Sequence, residues 1–300
     1  MKVTRSGFTF RQTQDLLPLL ILGDGRSGTT LLMQLLGTSR EVIFDRVPPF
    51  EVRYLTYLVK WVLLLQQQWT PNGDWNPALN FQIPGRMVGP FPFSMPKLWN
   101  GEEMARKCFA AAWKEFSRIA IDKSFLKRPK RSQDIYFAEK SPQWLPEALL
   151  PMVPYHVILI VRDPRDVFLS ITAFDKKRGY PGFSRLADDD DWTFARRFVV
   201  LRKRLFDIMR KEEQSARCLL LKYEDMALDL ESTAEHLGKF LNVKLNPKLV
   251  ERRAPDFSYH MTSENPRASI ARWRGELSAD LDNFFKDKLA EEMRHFGYLP

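Results

Sequence analysis

Two cysteines, Cys108 and Cys218, stand in the whole 300-residue sequence, too few for a disulfide framework or a four-ligand zinc site, so free thiols in a reducing compartment are expected. Long apolar runs are missing too. Leu16 to Leu22 and Val62 to Leu65 fall far short of the roughly 20 residues a membrane-spanning helix needs. The opening stretch MKVTRSGFTFRQTQDLL has no continuous apolar segment ahead of a small-residue cleavage site, and a cytoplasmic protein is expected. No fixed-period repeat is visible. With 44% hydrophobic, 28% charged and 13% aromatic residues, the chain is of ordinary globular composition. Acid is the scarcer charge: 37 Asp and Glu face 46 Lys and Arg, and the net charge of +9 favours an anionic ligand.

What is present alternates. Leu16 to Leu22 runs into Gly23-Asp24-Gly25, and Thr29 to Leu36 then reads as a helix ending at Gly37. Ile135 to Ala138, Val157 to Val161 and Cys218 to Leu221 are further short apolar runs, each followed by a helix-like segment. Such alternation predicts an α/β fold with a central parallel sheet and helices on both faces. Phe50 to Trp69 reads as a helix that starts after Pro48-Pro49. Residues 66–101 hold only Asp74, Arg86 and Lys97 as charges, but six prolines with Trp69, Trp75 and Trp99, and predict a long aromatic lid on the acceptor side of one 1–300 domain. The acidic run Asp188 to Asp191 predicts a solvated helix start.

Gly23-Asp24-Gly25-Arg26-Ser27-Gly28-Thr29-Thr30 has the glycine spacing of a phosphate-binding loop, in which backbone amides and a helix N-terminus cradle an anion. The lysine that would reach the β- and γ-phosphates of a nucleoside triphosphate is absent: Thr29 stands in its place, and Arg26 is the only cation of the loop. A second element follows the strand Val157 to Val161. In Arg162-Asp163-Pro164-Arg165-Asp166-Val167-Phe168-Leu169-Ser170, Asp163 can cap a helix with Pro164 in its first position, leaving Arg162 at the strand end and Ser170 about two turns on. Arg162 and Ser170 can offer one dianion a fork of N–H donors and a hydroxyl.

Arg26 to Thr30 resembles the 5′-phosphosulfate loop of sulfotransferases that use 3′-phosphoadenosine 5′-phosphosulfate (PAPS), in the arginine-bearing variant of carbohydrate, tyrosylprotein and bacterial enzymes. Arg162 to Ser170 is similar to that family's 3′-phosphate motif. Lys222-Tyr223-Glu224-Asp225 resembles the motif whose tyrosine lies by the adenine, although Tyr223 is equally readable as a half-buried aromatic at a strand end. Ser263 to Leu277 resembles the segment that closes over the nucleotide, with Arg267 and Ser269 placed on it. The resemblance implies a P-loop-like three-layer fold and transfer of the sulfuryl group from PAPS to a hydroxyl of a carbohydrate, glycolipid or small-molecule alcohol. It implies no metal, and 3′-phosphoadenosine 5′-phosphate (PAP) as the second product. The cofactor set it implies is Gly25, Arg26, Ser27, Gly28, Thr29, Thr30, Arg162, Ser170, Tyr223, Arg267 and Ser269.

For the chemistry, Arg26 is expected at the bridging oxygen and Lys140, in Phe137 to Pro142, resembles the family lysine that faces the sulfate. Pro142 stands where cytosolic members carry a catalytic histidine. The arginine-loop branch uses a glutamate soon after the loop helix, which implies Glu51 as the base, with Asp45 in reserve. A glutamate in the first turn of a helix is also favoured by the helix dipole and needs no catalytic role. Of the four histidines, His156, His236 and His295 fall in ordinary strand or helix positions, and His260 remains a minor candidate for the base. A P-loop kinase or NTPase with a degenerate motif and a non-catalytic anion- or nucleic-acid-binding protein are the competing classes. The first needs magnesium and the missing lysine; the second lacks a basic stripe or a nucleic-acid-binding motif.

Overall fold

Runs of Leu, Ile and Val bounded by polar turns build the sheet in the computed structural model, which describes residues 15–63, 101–124, 134–252 and 259–299. The strands are β1 (Leu17–Leu22), β2 (Val42–Ile43), β3 (Tyr136–Lys140), β4 (His156–Val161) and β5 (Cys218–Lys222). They form a five-stranded sheet in the order β2-β3-β1-β4-β5, with every pairing parallel. The central strand β1 tolerates Pro18 because Leu17 and its alternates turn their backbone groups toward β3, while pairing with β4 begins only at Leu19.

Alternation along β1 sorts its side chains onto two faces. Leu19 and Ile21, with Ile158 and Ile160 of β4, pack under α1 (Thr29–Leu36), α7 (Tyr223–Leu228), α8 (Leu230–Leu241) and α9 (Pro247–Arg252). Leu20 and Leu22, with Val157, Leu159 and Val161, pack under α2 (Tyr54–Leu63), α3 (Gly101–Ser124), α4 (Leu145–Leu149) and α6 (Asp191–Glu212). The result is the expected three-layer α/β arrangement. A further apolar cluster of Phe168, Phe194 and Phe285 joins α5 (Pro164–Arg178) and α6 to α11 (Ala279–Lys288), which runs on into α12 (Ala290–His295).

One expectation needs correction. The helix after Pro48-Pro49 begins at Tyr54, so Glu51 precedes α2 and does not lie in its first turn. Lys140 is buried at the end of β3. Of the predicted lid, residues 66–100 lie outside the described residues, and Gly101 opens α3. The acidic run behaves as expected, with the Asp190 side chain accepting from the Thr193 N–H to cap α6. No helix among the described residues is long and apolar enough to cross a membrane.

Candidate active site

The loop between β1 and α1 is tied inward: the N–H and hydroxyl of Ser27 both donate to the carbonyl of Asp24, at 3.2 and 2.7 Å. At Gly28 the backbone turns with φ +99°, and a side chain there would meet the Tyr223 ring at 2.3 Å, so only glycine fits. No side chain caps α1, which leaves its first N–H groups available to an anion.

Arg162, at the end of β4, is buried against the loop. Its Nη1 donates to the carbonyl of Arg26 at 3.0 Å and its Nη2 to the carbonyl of Ser269 at 2.6 Å, while the guanidinium lies 4.4 Å over the Tyr223 ring. Its buried Nε has no partner among the described residues. Asp163 caps α5 through the Arg165 N–H at 3.0 Å with Pro164 in the first turn, which carries Ser170 to the Arg26 side chain. Arg26 donates from Nε to the Ser170 hydroxyl at 3.3 Å and from Nη2 to the carbonyl of His260 at 2.6 Å. Burial and then the neighbouring Arg162 charge lower the pKa of Arg26 to about 10, a drop that Tyr223 and Asp175 offset only in part. Neither arginine forms an ion pair among the described residues.

These groups surround a cavity of about 410 Å³, within the range of small-molecule sites. The residues expected at the nucleotide line it, apart from Gly25 and Ser27. Gly25 is instead packed against Phe183, whose ring would stand 2.2 Å from any added methyl, and the Ser27 hydroxyl is spent on Asp24. Two more hydroxyls are engaged internally: Ser269 donates to the carbonyl of Pro266 at 2.6 Å and pairs with the Tyr223 hydroxyl at 2.7 Å. Tyr223 is buried, the first residue of α7. Arg267 lies at the rim, donating to the carbonyl of Leu228 at 2.7 Å. The cavity therefore presents two guanidiniums and an uncapped helix end, a donor set suited to a ligand with two anionic groups.

On the other flank of β1, the ammonium of Lys140 reaches the Thr30 hydroxyl at 3.0 Å, the carbonyl of Pro49 at 2.6 Å and Glu51 Oε1 at 2.8 Å. Burial lowers its pKa, and Glu51 offsets part of that shift. Glu51 Oε2 meets Arg53 at 3.1 Å, with the carboxylate half exposed. Asp45 accepts from the Tyr54 hydroxyl at 3.0 Å instead. His260 lines the cavity with no hydrogen-bond partner on its ring among the described residues, its pKa lowered by burial and then by Arg26, Lys140 and Lys177. His156 packs edge-on against Tyr136 and Phe240, and His295 pairs with Glu213. No three His, Cys, Asp or Glu side chains among the described residues cluster closely enough to hold a metal ion.

Three supporting residues escaped the sequence reading. The buried Glu139 carboxylate accepts from the N–H groups of Leu55 and Thr56 at 2.7 and 3.0 Å and from the Thr56 hydroxyl, capping α2 from β3. Asp166 accepts from the N–H groups of Ala271 and Trp273 at 2.7 and 3.0 Å, docking the C-terminal segment that leads into α10 (Trp273–Glu276) on α5. Arg202 is enclosed on α6 among Phe198, Val199, Leu205 and Phe206. A cation at an apolar helix position was the signal available for it.

A sulfotransferase family model matches residues 18–247 of the chain. Among solved structures, the sulfotransferase domain of the olefin synthase of Synechococcus PCC 7002 is similar at 14% identity and TM-score 0.48, over 93% of this chain and 98% of that one. A mouse sulfotransferase complexed with PAP is similar at 15% identity and TM-score 0.45, over 95% and 87%. A sulfotransferase of Mycobacterium avium also shares 15% identity at TM-score 0.45, over 94% and 77%. No curated protein matches.

Proposed function

This chain belongs to the sulfotransferase family, and from that premise we propose that it moves the sulfuryl group of PAPS to a hydroxyl of a carbohydrate, glycolipid or small-molecule alcohol. One observation carries the reading: the buried Arg162 and the half-buried Arg26 border a single cavity with only neutral oxygens as hydrogen-bond partners among the described residues. Their charge is left for a ligand that is anionic at both ends. Arg162 and Ser170 hold the 3′-phosphate, while Arg26, the loop amides and the Thr29 and Thr30 hydroxyls hold the 5′ end. Tyr223 and Arg267 flank the nucleoside.

In the transfer, the acceptor oxygen attacks sulfur in line as the bond from sulfur to the 5′-phosphate oxygen breaks. Glu51 takes the hydroxyl proton, and Arg26 and Lys140 stabilise the charge on the transferring group and on the phosphate that leaves as PAP. The side chains supply the charge a metal would otherwise provide, so turnover should survive EDTA. Calorimetric titration with PAP in EDTA, with ADP and ATP as controls, tests the donor. Tight binding of PAP alone is expected. A magnesium-dependent preference for ATP would replace this reading with that of a kinase.

A further inference from the structure

Arg202 does not line the cavity, yet it joins the two segments that carry the anion-binding arginines. Its guanidinium, 3% exposed, points three ways. Nη1 donates to the Asp24 carboxylate, Nη2 to the carbonyl of Arg162 at 3.0 Å and Nε to Glu292 of α12 at 2.5 Å. Asp24 belongs to the glycine loop and accepts from Ser27 through its backbone, so one residue holds that loop from within while its side chain ties it to Arg202. Arg162 closes the circuit by donating to the carbonyl of Arg26 at 3.0 Å.

A buried ion pair of this kind adds little net stability compared with well-packed apolar side chains, because both charges lose their water. What it adds is direction. A planar guanidinium presents donors in a fixed fork, and here the fork sets the glycine loop and the end of β4 in one register. We infer that Arg202 is a positioning residue that fixes the separation of the two anion subsites, and so sets the preference for a nucleotide phosphorylated at both the 5′ and the 3′ position. The inference rests on the donor proposed above and adds the residue that gives the two ends of the site their spacing.

The physical basis is that binding the second phosphate of a tethered pair is intramolecular, and its gain is lost when the two subsites no longer match the ligand. Arg202→Met and the milder Asp24→Asn would each be titrated with PAP, adenosine 5′-phosphate and adenosine 3′-phosphate, with thermal midpoints measured alongside. PAP affinity is expected to fall about 30-fold in Arg202→Met and about tenfold in Asp24→Asn, while the singly phosphorylated nucleotides change less than about threefold, because only the tethered gain is lost. Should Arg202→Met fail to fold, Asp24→Asn carries the test. Equal weakening of all three nucleotides would show a packing role and overturn the inference, as would unchanged PAP affinity. Failure of the wild-type protein to bind PAP would overturn the donor reading itself, a separate result that takes this inference with it.

Discussion

The two strands flanking β1 both lead to a buried cation, Lys140 as the last residue of β3 and Arg162 just after β4, and their surroundings differ in kind. Around Arg162 and Arg26 the partners are carbonyls and a hydroxyl, neutral groups that orient a guanidinium without cancelling its charge. Around Lys140 one partner is the Glu51 carboxylate, and the adjoining Glu139 is itself bonded by the N-terminal amides of α2. The arginines of the first flank have no ion-pair partner among the described residues, whereas the lysine of the second is paired with a carboxylate; under the proposed transfer the first holds the donor and the second takes the acceptor's proton. The flanks thus differ in the charge of the groups that hold their cations.

Breaking the second flank has the largest expected effect. Glu51→Gln should lower kcat about 10²- to 10⁴-fold, the usual worth of a general base, while PAP affinity measured by calorimetry stays within about twofold of wild type. Normal turnover would remove Glu51 from the chemistry. Breaking the first flank should give the converse, a smaller effect confined to binding. Arg162→Ala is expected to weaken PAP by about 100-fold, the scale of a pair of charge-assisted hydrogen bonds. Equal loss in both properties for both variants would abolish the distinction between flanks.

The third effect is smaller and concerns stability. Burial pushes Glu139 up to about 7 from the ordinary 4.5, against the opposing hydrogen bonds from Thr56 and Leu55. The folded state then keeps a proton that the unfolded chain releases between those values. The stabilisation this provides is complete below the unfolded pKa and is lost as pH rises through about 7, on the order of 2 kcal/mol between pH 5 and 7. In Glu139→Gln this part of the decline should vanish from thermal midpoints measured across that range. An unchanged slope would mean that Glu139 stays ionised as the cap of α2.

Local chemistry accounts for what the sequence made legible. Buried parallel strands carry unbroken apolar runs, and β1, β3, β4 and β5 stood out for that reason, whereas the two-residue β2 is too short to have a pattern. The turn at Gly28 and the cap at Asp163-Pro164 are written within a few residues, so the loop and the start of α5 could be placed from the chain alone. Distant partners were invisible. The start of α2 is set by Glu139 on β3, and without it Pro48-Pro49 looked like the helix boundary and Glu51 like a first-turn residue. The ties of Arg202 to Asp24, Arg162 and Glu292 likewise span segments with no local signature.

The position of β1 also bears on how such a chain is made. Leu17 pairs with Tyr136, and Leu19 with His156, so among the described residues the strand that leads into the glycine loop has its sheet neighbours more than a hundred residues further on. Parallel pairing at that separation closes a long loop before any contact repays the lost entropy, which makes it slow. During synthesis Leu17 to Leu22 is made long before Tyr136 and His156, and this apolar segment can join the sheet only when they follow.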